Sequence, residues 1–340
     1  MWVGDTVDTS DRLTGLPAIP VFDVGADFPL ELARLAGEHA YELLAVATKG
    51  VPKPALKMAD AVSRRWLERN RSPYLDEIRF LAEHAREPGL YYLNVSYEWG
   101  CTSAGKVAPS GSTAMLMRTL DWDVAGIGRY VLAARIANPL GAWVALTWPA
   151  FTGVIQGLAP GRFAAAINQP QIRKRTRLLP VDWMLHLRER WTTPHIQPVH
   201  LLRRVFETAP DFATAREMLT TTPITTPTIF TLVGLSADER VVIERRETSA
   251  RAVAEAIAAN EWHASDWHGG HYRAFQNDAR FAAMQRVESA WNFDWVRYPI
   301  LNHETKLAIV ADPASGCLIA RGYEGETPAT GILELSGLPR

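Results

Sequence analysis

Cys101 is the residue of this chain with the clearest capacity for nucleophilic chemistry. It stands between the small residues Gly100 and Thr102, and its reactive form, the thiolate, needs a base within hydrogen-bond reach. Seventeen residues later, Arg118 and Asp121 follow in a segment with strand character. Because they are three residues apart, their side chains leave opposite faces of a strand unless a bulge intervenes. The alternative interpretation is a small buried cysteine beside an ordinary surface ion pair.

The motifs around these residues resemble those of a known enzyme family. The run Cys-Thr-Ser from Cys101 and the run Arg-Thr-Leu-Asp from Arg118 to Asp121 resemble the N-terminal-nucleophile (Ntn) hydrolases. The most similar branch is the acid ceramidase and N-acylethanolamine acid amidase family, with choloylglycine hydrolases and penicillin acyltransferases as more distant relatives. The resemblance implies that the chain cuts itself between Gly100 and Cys101. The freed α-amine, with an unperturbed pKa of about 8, would then be the base, held by Asp121, while Arg118 organises substrate and nucleophile.

Two asparagines further along match oxyanion-binding positions of the resembled proteins. Ala259-Asn260-Glu261-Trp262 resembles the family's Thr-Asn-Tyr-Asp-x-Trp, which implies that Asn260, at an exposed strand end, donates its amide to the tetrahedral oxyanion. Asn168-Gln169-Pro170 resembles the Asn-x-Pro of choloylglycine hydrolases, whose asparagine lies near the oxyanion. The ceramidase branch has an acidic residue where this chain has Gln169. Both asparagines are also ordinary turn residues after a strand.

A basic position and a histidine-rich stretch complete the candidate site. Asn277-Asp278-Ala279-Arg280 resembles the family's Asp-Asp-Arg-Arg and implies a substrate-binding role for Arg280, with Arg273 as the alternative. Residues 261–272 contain three histidines and two tryptophans. Histidines on a glycine-containing loop without a cysteine or carboxylate partner pattern are a weak metal signal. We therefore predict an active-site lid in this stretch, with no metal and no cofactor.

The composition describes an ordinary globular protein of 340 residues, 47% hydrophobic and 21% charged, with a net charge of −1. That length suits two domains or one large α/β sandwich, and the charge gives no sign of nucleic-acid binding. Cys101 and Cys317 are the two cysteines and provide no disulfide framework. Residues 1–15 lack the apolar core of a signal peptide, and no apolar run reaches membrane-spanning length. These observations predict a cytoplasmic protein.

The first hundred residues are predicted to be helical. Apolar residues at helical spacing indicate one helix over 28–49 and a second around 56–66. A third opens at Ser72-Pro73, with serine as N-cap and proline at the first helical position. The resemblance implies that residues 1–100 are a pro-segment, which stays bound as an α-subunit after the cut, and that residues 101–340 are the catalytic β-subunit.

Beyond residue 90 the pattern changes to strands interrupted by helices. The predicted strands lie at 91–95, 113–122, 142–150, 162–168, 228–235, 240–246, 306–311 and 316–322. The predicted helices lie at 181–191, 198–208, 211–220 with Asp211 as N-cap, and 277–287. The alanine-rich residues 251–259 have helical propensity. The resemblance nevertheless implies a strand that leads into Asn260, and we predict the strand.

Together these patterns predict an α+β fold, a four-layer αββα sandwich in which two stacked, mainly antiparallel sheets carry helices outside and Cys101 opens a central strand. The predicted activity is hydrolysis of the amide bond of an N-acyl compound with an apolar acyl group, through a thioester on Cys101. The alternatives are an acyltransferase, in which an amine takes the acyl group, and a binding relative that never cleaves. The predicted partners are the N-acyl amide substrate, the chain's own pro-segment and, for a lipid substrate, a loose contact with a membrane surface.

Overall fold

The computed structural model describes residues 15–338, except 86, 96–98, 254, 265, 268 and 273. Two β-sheets lie face to face with helices packed outside both, so the predicted α+β, four-layer αββα arrangement is confirmed. None of the helices within these residues has both the length and the apolar run needed to cross a membrane. The cytoplasmic location stays a prediction.

The elements are numbered in chain order. The strands are β1 Val21–Val24, β2 Trp99–Val107, β3 Ala114–Trp122, β4 Leu132–Ile136, β5 Trp143–Thr147, β6 Gln156–Ala159, β7 Phe163–Asn168, β8 Ile172–Arg173, β9 Thr228–Val233, β10 Arg240–Arg245, β11 Ala250–Val253, β12 Ile257–Ala258, β13 Gly270–His271, β14 Thr305–Asp312, β15 Cys317–Glu324 and β16 Thr327–Leu335. The helices are α1 Phe28–Ala36, α2 Glu38–Ala47, α3 Lys53–Arg69, α4 Leu75–His84, α5 Leu90–Val95, α6 Leu179–Thr192, α7 Pro198–Thr208, α8 Phe212–Thr221 and α9 Asn277–Arg286.

The two large sheets share one core. Sheet A has the strand order β1-β4-β5-β6-β7-β9-β10-β11, and sheet B has the order β12-β2-β3-β14-β15-β16. Apolar residues on the facing sides of both sheets form a single cluster, which extends to α7 and α8 behind sheet A. The outer side of sheet B packs on α9 and on residues 293–300. Strands buried on both faces are expected to be largely apolar. Strands β2, β3 and β14 are buried along most of their length, but they also carry the polar residues of the candidate site.

The hairpin of β2 and β3 carries the predicted nucleophile. Its antiparallel pairing runs without interruption from Trp99 opposite Trp122 to Val107 opposite Ala114. Strands β12 and β3 flank β2, so the strand with the nucleophile is internal to sheet B. Cys101 is the third residue of β2, which begins at Trp99 and runs on through Gly100. The geometry of the site is therefore described for the continuous chain.

The predicted pro-segment is helical, with one addition. Helices α1 to α5 account for most of residues 15–95, and Phe28 of α1 packs edge-to-face on Trp143 of sheet A, 5.7 Å between ring centroids. Residues 21–24, however, form β1, which pairs in parallel with β4 at the edge of sheet A. This segment therefore adds a strand to the catalytic sheet as well as helices around it. The division of the chain at residue 100 stays a prediction.

Three local predictions for this segment are wrong. Residues 91–95 form helix α5 and not a strand. Their apolar side chains pack on α3, and the Asn94 side-chain amide donates to the carbonyls of Leu90 and Ala150. Tertiary packing thus outweighs the β-propensity of this stretch. The single helix over 28–49 is broken at Gly37, whose φ of 50° lies in the left-handed region that glycine tolerates.

The third wrong prediction concerns the start of α4. That helix begins at Leu75 with Tyr74 before it, so Ser72 is not its N-cap. The Ser72 hydroxyl lies instead 3.5 Å from Nδ1 of His200 on α7. A contact with the catalytic part of the chain has thus taken the place of a local cap.

Most downstream elements agree with the sequence. Helices α6, α7 and α8 match their predicted ranges, and the Asp211 carboxylate caps α8 by accepting from the Thr214 N–H at 2.8 Å. The predicted hairpins correspond to β9-β10 and β14-β15. The predicted strand over 251–259 is two short strands, β11 at 250–253 in sheet A and β12 at 257–258 in sheet B. The choice of strand over helix is confirmed, whereas the single continuous strand is wrong. Strands β4, β6, β8, β13 and β16 carried no prediction.

Candidate active site

The Cys101 thiol is fully buried on the inner face of sheet B. Its Sγ lies 2.9 Å from Nη2 of Arg118 and 3.7 Å from the carbonyl oxygen of Ile167 on β7. Burial raises the pKa of the thiol to about 11; the positive charges of Arg118 and Arg280 oppose the increase, and Asp121 adds to it. In the uncut chain the sulfur is therefore mostly protonated at neutral pH and has a guanidinium in contact with it.

Arg118 brings a buried positive charge between the two sheets. Its Nη2 also donates to the Ile167 carbonyl at 2.8 Å, and burial lowers the pKa of its guanidinium. Among the described residues its Nε has no hydrogen-bond partner. A buried cation with an unbonded donor is unfavourable for folding, and the predicted role of Arg118 beside the thiol stays a prediction.

The backbone of Cys101 is bonded on the other side of the strand. Its N–H donates to Oδ1 of Asn260 at 2.8 Å, and its carbonyl oxygen accepts from Nη1 of Arg280 at 2.7 Å. Nη1 of Arg280 also lies 2.8 Å from the Thr102 hydroxyl and 3.2 Å from a carboxylate oxygen of Asp121. The three atoms of Cys101 that could take part in chemistry thus have separate polar partners.

Asp121 and Arg118 lie on opposite faces of β3, as their spacing predicts. Arg118 contacts sheet A, whereas Asp121 contacts Arg280 on α9 and accepts from the hydroxyl of Thr305 at 2.9 Å. The register irregularity in this region lies in β14, between Thr305 and Leu307, and not in β3. Arg118 therefore lies on the inner face of sheet B, beside the Cys101 thiol, and Asp121 lies on its outer face, beside Arg280.

Asn260 is completely buried, so its predicted exposure at a strand end is wrong. Its Oδ1 accepts from both Cys101 and Arg280, and its Nδ2 donates to the Gln169 carbonyl at 2.7 Å. These donors and that acceptor determine which end of the amide is oxygen. Since an amide nitrogen has two hydrogens, one remains for a developing oxyanion, and the predicted role stays a prediction.

Asn168 lies close to the nucleophile strand, and the described residues show no hydrogen bond between it and Cys101. Its Nδ2 is within 3.0 Å of the Ser103 hydroxyl and 3.1 Å of the Ala259 carbonyl, and its Oδ1 has no partner in the described residues. These bonds tie β7 to β2 and to the residue before Asn260. Gln169 reaches the site through its backbone carbonyl.

The position before the nucleophile has room only for glycine. A Cβ at Gly100 would lie 2.9 Å from the Cβ of Ala274 and 3.3 Å from that of Asp121. A larger residue would press on the residues that face the predicted cleavage bond. The predicted junction is thus sterically restricted.

Sequence reasoning missed several residues of the network around Arg280. Asn277 accepts from Arg280 at 2.6 Å and lies three residues before it on α9, a spacing that could have indicated the contact. Thr305, in contrast, has no signal in the sequence. Glu261 and Asp278 form a carboxyl pair beside the network, in which burial, and then the hydrogen bond with Asp278, raises the pKa of Glu261 to about 7.

Within the described part of residues 261–272, tryptophan packing anchors the predicted lid. Trp262 and Trp267 are buried edge-to-face on each other, 5.2 Å between ring centroids, against Ile229 and Val242. His271 lies 2.8 Å from the Asp182 carboxylate. The described residues contain no group of three His, Cys, Asp or Glu side chains arranged to hold a metal ion. The alternative arginine, at position 273, and one histidine, at position 268, lie outside the described residues.

Comparisons with known proteins agree with the motif resemblance. No protein-family model matches the chain. The N-acylethanolamine-hydrolyzing acid amidase of Caenorhabditis elegans is 24% identical over 203 residues, which take in 57% of this chain and 54% of the relative. The chain thus spans about half the length of that curated relative.

Solved structures give weaker likenesses. The Caenorhabditis elegans N-acylethanolamine-hydrolyzing acid amidase ortholog has a TM-score of 0.47 at 16% identity, over 63% of this chain and 92% of that one. Penicillin V acylase from Agrobacterium tumefaciens has a TM-score of 0.43 at 12% identity, over 70% and 86% of the two chains. The predicted resemblance itself is confirmed by the sequence match: this chain is similar to the N-acylethanolamine acid amidases among the Ntn hydrolases.

Proposed function

We propose that this protein is a self-processing cysteine amidohydrolase that cleaves the amide bond of N-acyl compounds, of the fatty-acyl amide, N-acylethanolamine or ceramide-like class, through a thioester on Cys101. One observation carries the proposal: the thiol, the amide nitrogen and the carbonyl of Cys101 each contact a different polar side chain, from Arg118, Asn260 and Arg280. The sequence similarity to an amide hydrolase supports the same reaction class.

The first reaction is the chain's own cleavage. The Cys101 sulfur attacks the carbonyl carbon of Gly100, the C–N bond to Cys101 breaks, and the thiol proton passes to the departing nitrogen. Water then hydrolyses the thioester, which leaves a carboxylate on Gly100 and restores the thiol. Arg118, in contact with the sulfur, stabilises its developing negative charge. The new α-amine starts at Asn260 Oδ1, where the amide nitrogen already is, and not at Asp121 as the resemblance implied, because the Asp121 carboxylate is bonded to Arg280 and Thr305.

Turnover repeats this chemistry on a substrate. The α-amine takes the thiol proton, the sulfur attacks the amide carbonyl, and the amine returns the proton to the leaving nitrogen. Water hydrolyses the acyl thioester to the free acid. We assign the second hydrogen of the Asn260 Nδ2 to the oxyanion, and to Asn168 the positioning of the adjacent strands.

An apolar cavity at the end of β3, one residue beyond Asp121, supports an apolar acyl group. It lies between helices α2 and α5 and the end of β3, and its lining includes Leu43, Leu44, Trp122, Trp148 and Phe151. Trp122 directly follows Asp121 on β3, so the aromatic wall of the cavity begins next to the network around Arg280. At about 60 Å³ the cavity has room for the end of an alkyl chain, which side chains of both predicted subunits would desolvate.

The contacts of the pro-segment support its retention after the cut. Arg203 of α7 is 2% exposed and donates to the Glu77 carboxylate of α4, with Nη2 at 2.9 Å. Its guanidinium also lies 4.6 Å from the ring centroid of Phe28 and 3.9 Å from that of Tyr74. Together with the pairing of β1 on β4, these contacts survive a break at residue 100.

The deciding experiment is the intact mass of the purified protein, measured at neutral pH and after mild acid treatment. We expect two chains, 1–100 and 101–340, from the wild type, and one chain from Cys101→Ala. The matched control is Cys317→Ala, which removes the other cysteine and should leave cleavage unchanged. Wild-type protein that stays uncut under all conditions would refute the proposal.

Activity is measured on the processed protein with N-acylethanolamines of different acyl length. We expect release of free acid, which iodoacetamide at Cys101 abolishes. Added amines that divert the acyl group into new amides would favour the acyltransferase alternative. Cleaved protein that never releases acid or transfers the acyl group would refute the assigned substrate class.

A further inference from the structure

We infer that a turn at Ala150, which Asn94 of the predicted pro-segment holds in place, limits the length of the acyl chain that this protein accepts. The turn is part of a wall between two cavities, and an acyl chain in the first cavity ends at this wall. The inference rests on the proposed function, because it concerns the acyl group of the substrate cleaved at Cys101. It makes Asn94 a positioning residue for the choice of acyl chain.

Two cavities lie one behind the other along the predicted pro-segment. The inner cavity is the apolar one at the end of β3, with a volume of about 60 Å³. The outer cavity lies between α1, α2 and α4 and has a volume of about 680 Å³. Four residues line both cavities and form the dividing wall: Ala40, Leu44, Leu90 and Ala150. Because the inner cavity is much the smaller, a long alkyl chain would need to pass this wall.

The wall contains a turn with an unusual backbone conformation. The Phe151 N–H donates to the Trp148 carbonyl at 3.3 Å, so that Pro149 and Ala150 are the two central residues. The φ of Ala150 is 63°, in the left-handed region. Proline second and a positive φ third match a type II turn, whose third residue is usually glycine. Alanine is unfavourable there because of its Cβ, and it persists only where the surrounding structure enforces the conformation.

The Asn94 side chain supplies this enforcement. Its Nδ2 donates to the Ala150 carbonyl at 3.0 Å and to the Leu90 carbonyl at 3.1 Å. Its Oδ1 accepts from the backbone N–H of Thr152 at 2.8 Å and from the Thr152 hydroxyl at 2.9 Å. Asn94 is itself buried. One amide therefore fixes the backbone on both sides of Phe151.

The catalytic part of the chain holds the turn from the other side. The Thr152 hydroxyl lies 3.0 Å from Nε2 of His200 on α7, and both residues are fully buried. Trp148 and Phe151, at the two ends of the turn, line the inner cavity. The position of these aromatic side chains thus depends on α5 and α7 together.

The polarity of Asn94 indicates that its role exceeds packing. It belongs to the lining of the inner cavity, which is otherwise mostly apolar. Burying an amide is unfavourable unless its hydrogen bonds are made, and an apolar side chain would fill the same space. Three of the bonds of this amide go to residues 150 and 152. Asn94 is therefore placed to determine the shape of the wall.

The test compares N-octanoylethanolamine with N-palmitoylethanolamine on the processed protein. We expect the wild type to cleave the octanoyl compound with the higher kcat/KM. Leu44→Ala, which shortens a wall residue, should raise the palmitoyl-to-octanoyl ratio of kcat/KM about tenfold. The matched control is Leu81→Ala, at a leucine that is 7% exposed against 6% for Leu44. Among the described lining residues Leu81 belongs to the outer cavity alone, so the ratio should stay unchanged.

Two further variants test the turn itself. Ala150→Gly keeps the positive φ without strain and removes a wall atom, so the ratio should rise in a protein of unchanged fold. Asn94→Leu removes the bonds to the turn at similar volume. It should shift the ratio in the same direction, through KM for the palmitoyl compound and with little change in kcat for the octanoyl compound. If Asn94→Leu does not fold, Ala150→Gly and Leu44→Ala decide the matter.

Calorimetric binding of the free acids, octanoic and palmitic, reports on the wall without turnover. We expect the same shift in the ratio of their affinities. Protein that cleaves neither compound would refute the proposed function, and the acid affinities would then decide the inference by themselves. A wild type that prefers palmitoyl, equal ratios in Leu44→Ala and Leu81→Ala, or binding of neither acid would overturn the inference.

Discussion

Cys101 has different polar contacts on the two faces of strand β2. On the inner side, its sulfur contacts one guanidinium between the two sheets, and the Nε of that guanidinium has no hydrogen-bond partner among the described residues. On the outer side, Arg280 uses all three of its nitrogens, bonding the Cys101 carbonyl and its neighbours, among them Asp121 and Asn260.

This difference between the two faces separates reactivity from stability. The inner side leaves a cation incompletely bonded and a thiol desolvated, which is unfavourable for folding but gives the sulfur a counter-charge when it ionises. The outer side is a dense hydrogen-bond network around Arg280, which fixes backbone atoms and stabilises the fold. The inner arginine should therefore matter chiefly for reactivity and the outer arginine for stability as well.

The largest expected effect comes from Arg280→Met. It leaves the buried Asp121 carboxylate without its cation, and such losses typically cost about 3–5 kcal/mol in the free energy of unfolding. Chemical denaturation followed by circular dichroism measures the loss. Adding Asp121→Asn should recover part of it, because the uncompensated charge is then gone. A single variant as stable as the wild type would contradict the assigned role of the outer network.

Arg118→Met should have the reverse profile. Stability should change by no more than about 1 kcal/mol, because an apolar side chain of similar size replaces an incompletely bonded cation. Self-cleavage and amide hydrolysis should fall about 10³-fold, since the sulfur loses its stabilising charge. Timed gels and product assays measure both. If Arg118→Met cuts itself at the wild-type rate, the inner side has no part in reactivity.

Asn260→Ala tests a residue that contacts both the Cys101 amide and Arg280. We expect kcat to fall about 10²–10³-fold with little change in KM, because an oxyanion donor acts mainly in the transition state. Since Asn260 is buried and bonded to Cys101, Gln169 and Arg280, the melting temperature should fall as well. Asn168→Ala, the comparison variant, should affect kcat less, because the described residues show no hydrogen bond between Asn168 and Cys101. Equal losses from the two variants would remove the distinction between them.

Gly100→Ala probes the crowding on the outer side. The added Cβ would lie 2.9 Å from the Cβ of Ala274, and overpacking of this kind costs about 1–3 kcal/mol. We expect slower self-cleavage and a lower melting temperature. Ala274→Gly in the same chain should restore both, since it removes the opposing atom. Failure of that rescue would show that the steric explanation is wrong.

The smallest expected effect concerns the carboxyl pair of Glu261 and Asp278, beside the network around Arg280. The pKa of Glu261 is raised to about 7 in the folded protein, from an ordinary value of 4.5. Its contribution to stability is therefore complete below the ordinary pKa and is lost as the pH rises through about 7. Glu261→Gln should make the melting temperature less dependent on pH in this range, whereas Glu326→Gln, at an exposed position, should leave the dependence unchanged. Parallel curves for Glu261→Gln and the wild type would contradict the assignment.

Local sequence determined a large part of this protein. Period-two and helical patterns predicted the hairpins and the helices α6 to α9, and the Asp211 cap follows from side-chain chemistry within one turn. Cys101, Arg118 and Asp121 could be placed together because a single hairpin carries all three. Their division between two faces also follows from their spacing.

Only the tertiary structure decided the rest. Asn260 and Arg280 reach Cys101 from 159 and 179 residues away, and Thr305 reaches Asp121 from 184 residues away, distances over which no local pattern operates. Residues 91–95 became helix α5 because packing on α3 outweighed their β-propensity. Burial of Asn260 and of the thiol likewise depends on the stacking of two sheets and a helix, since a side chain's environment is set by elements distant in the chain.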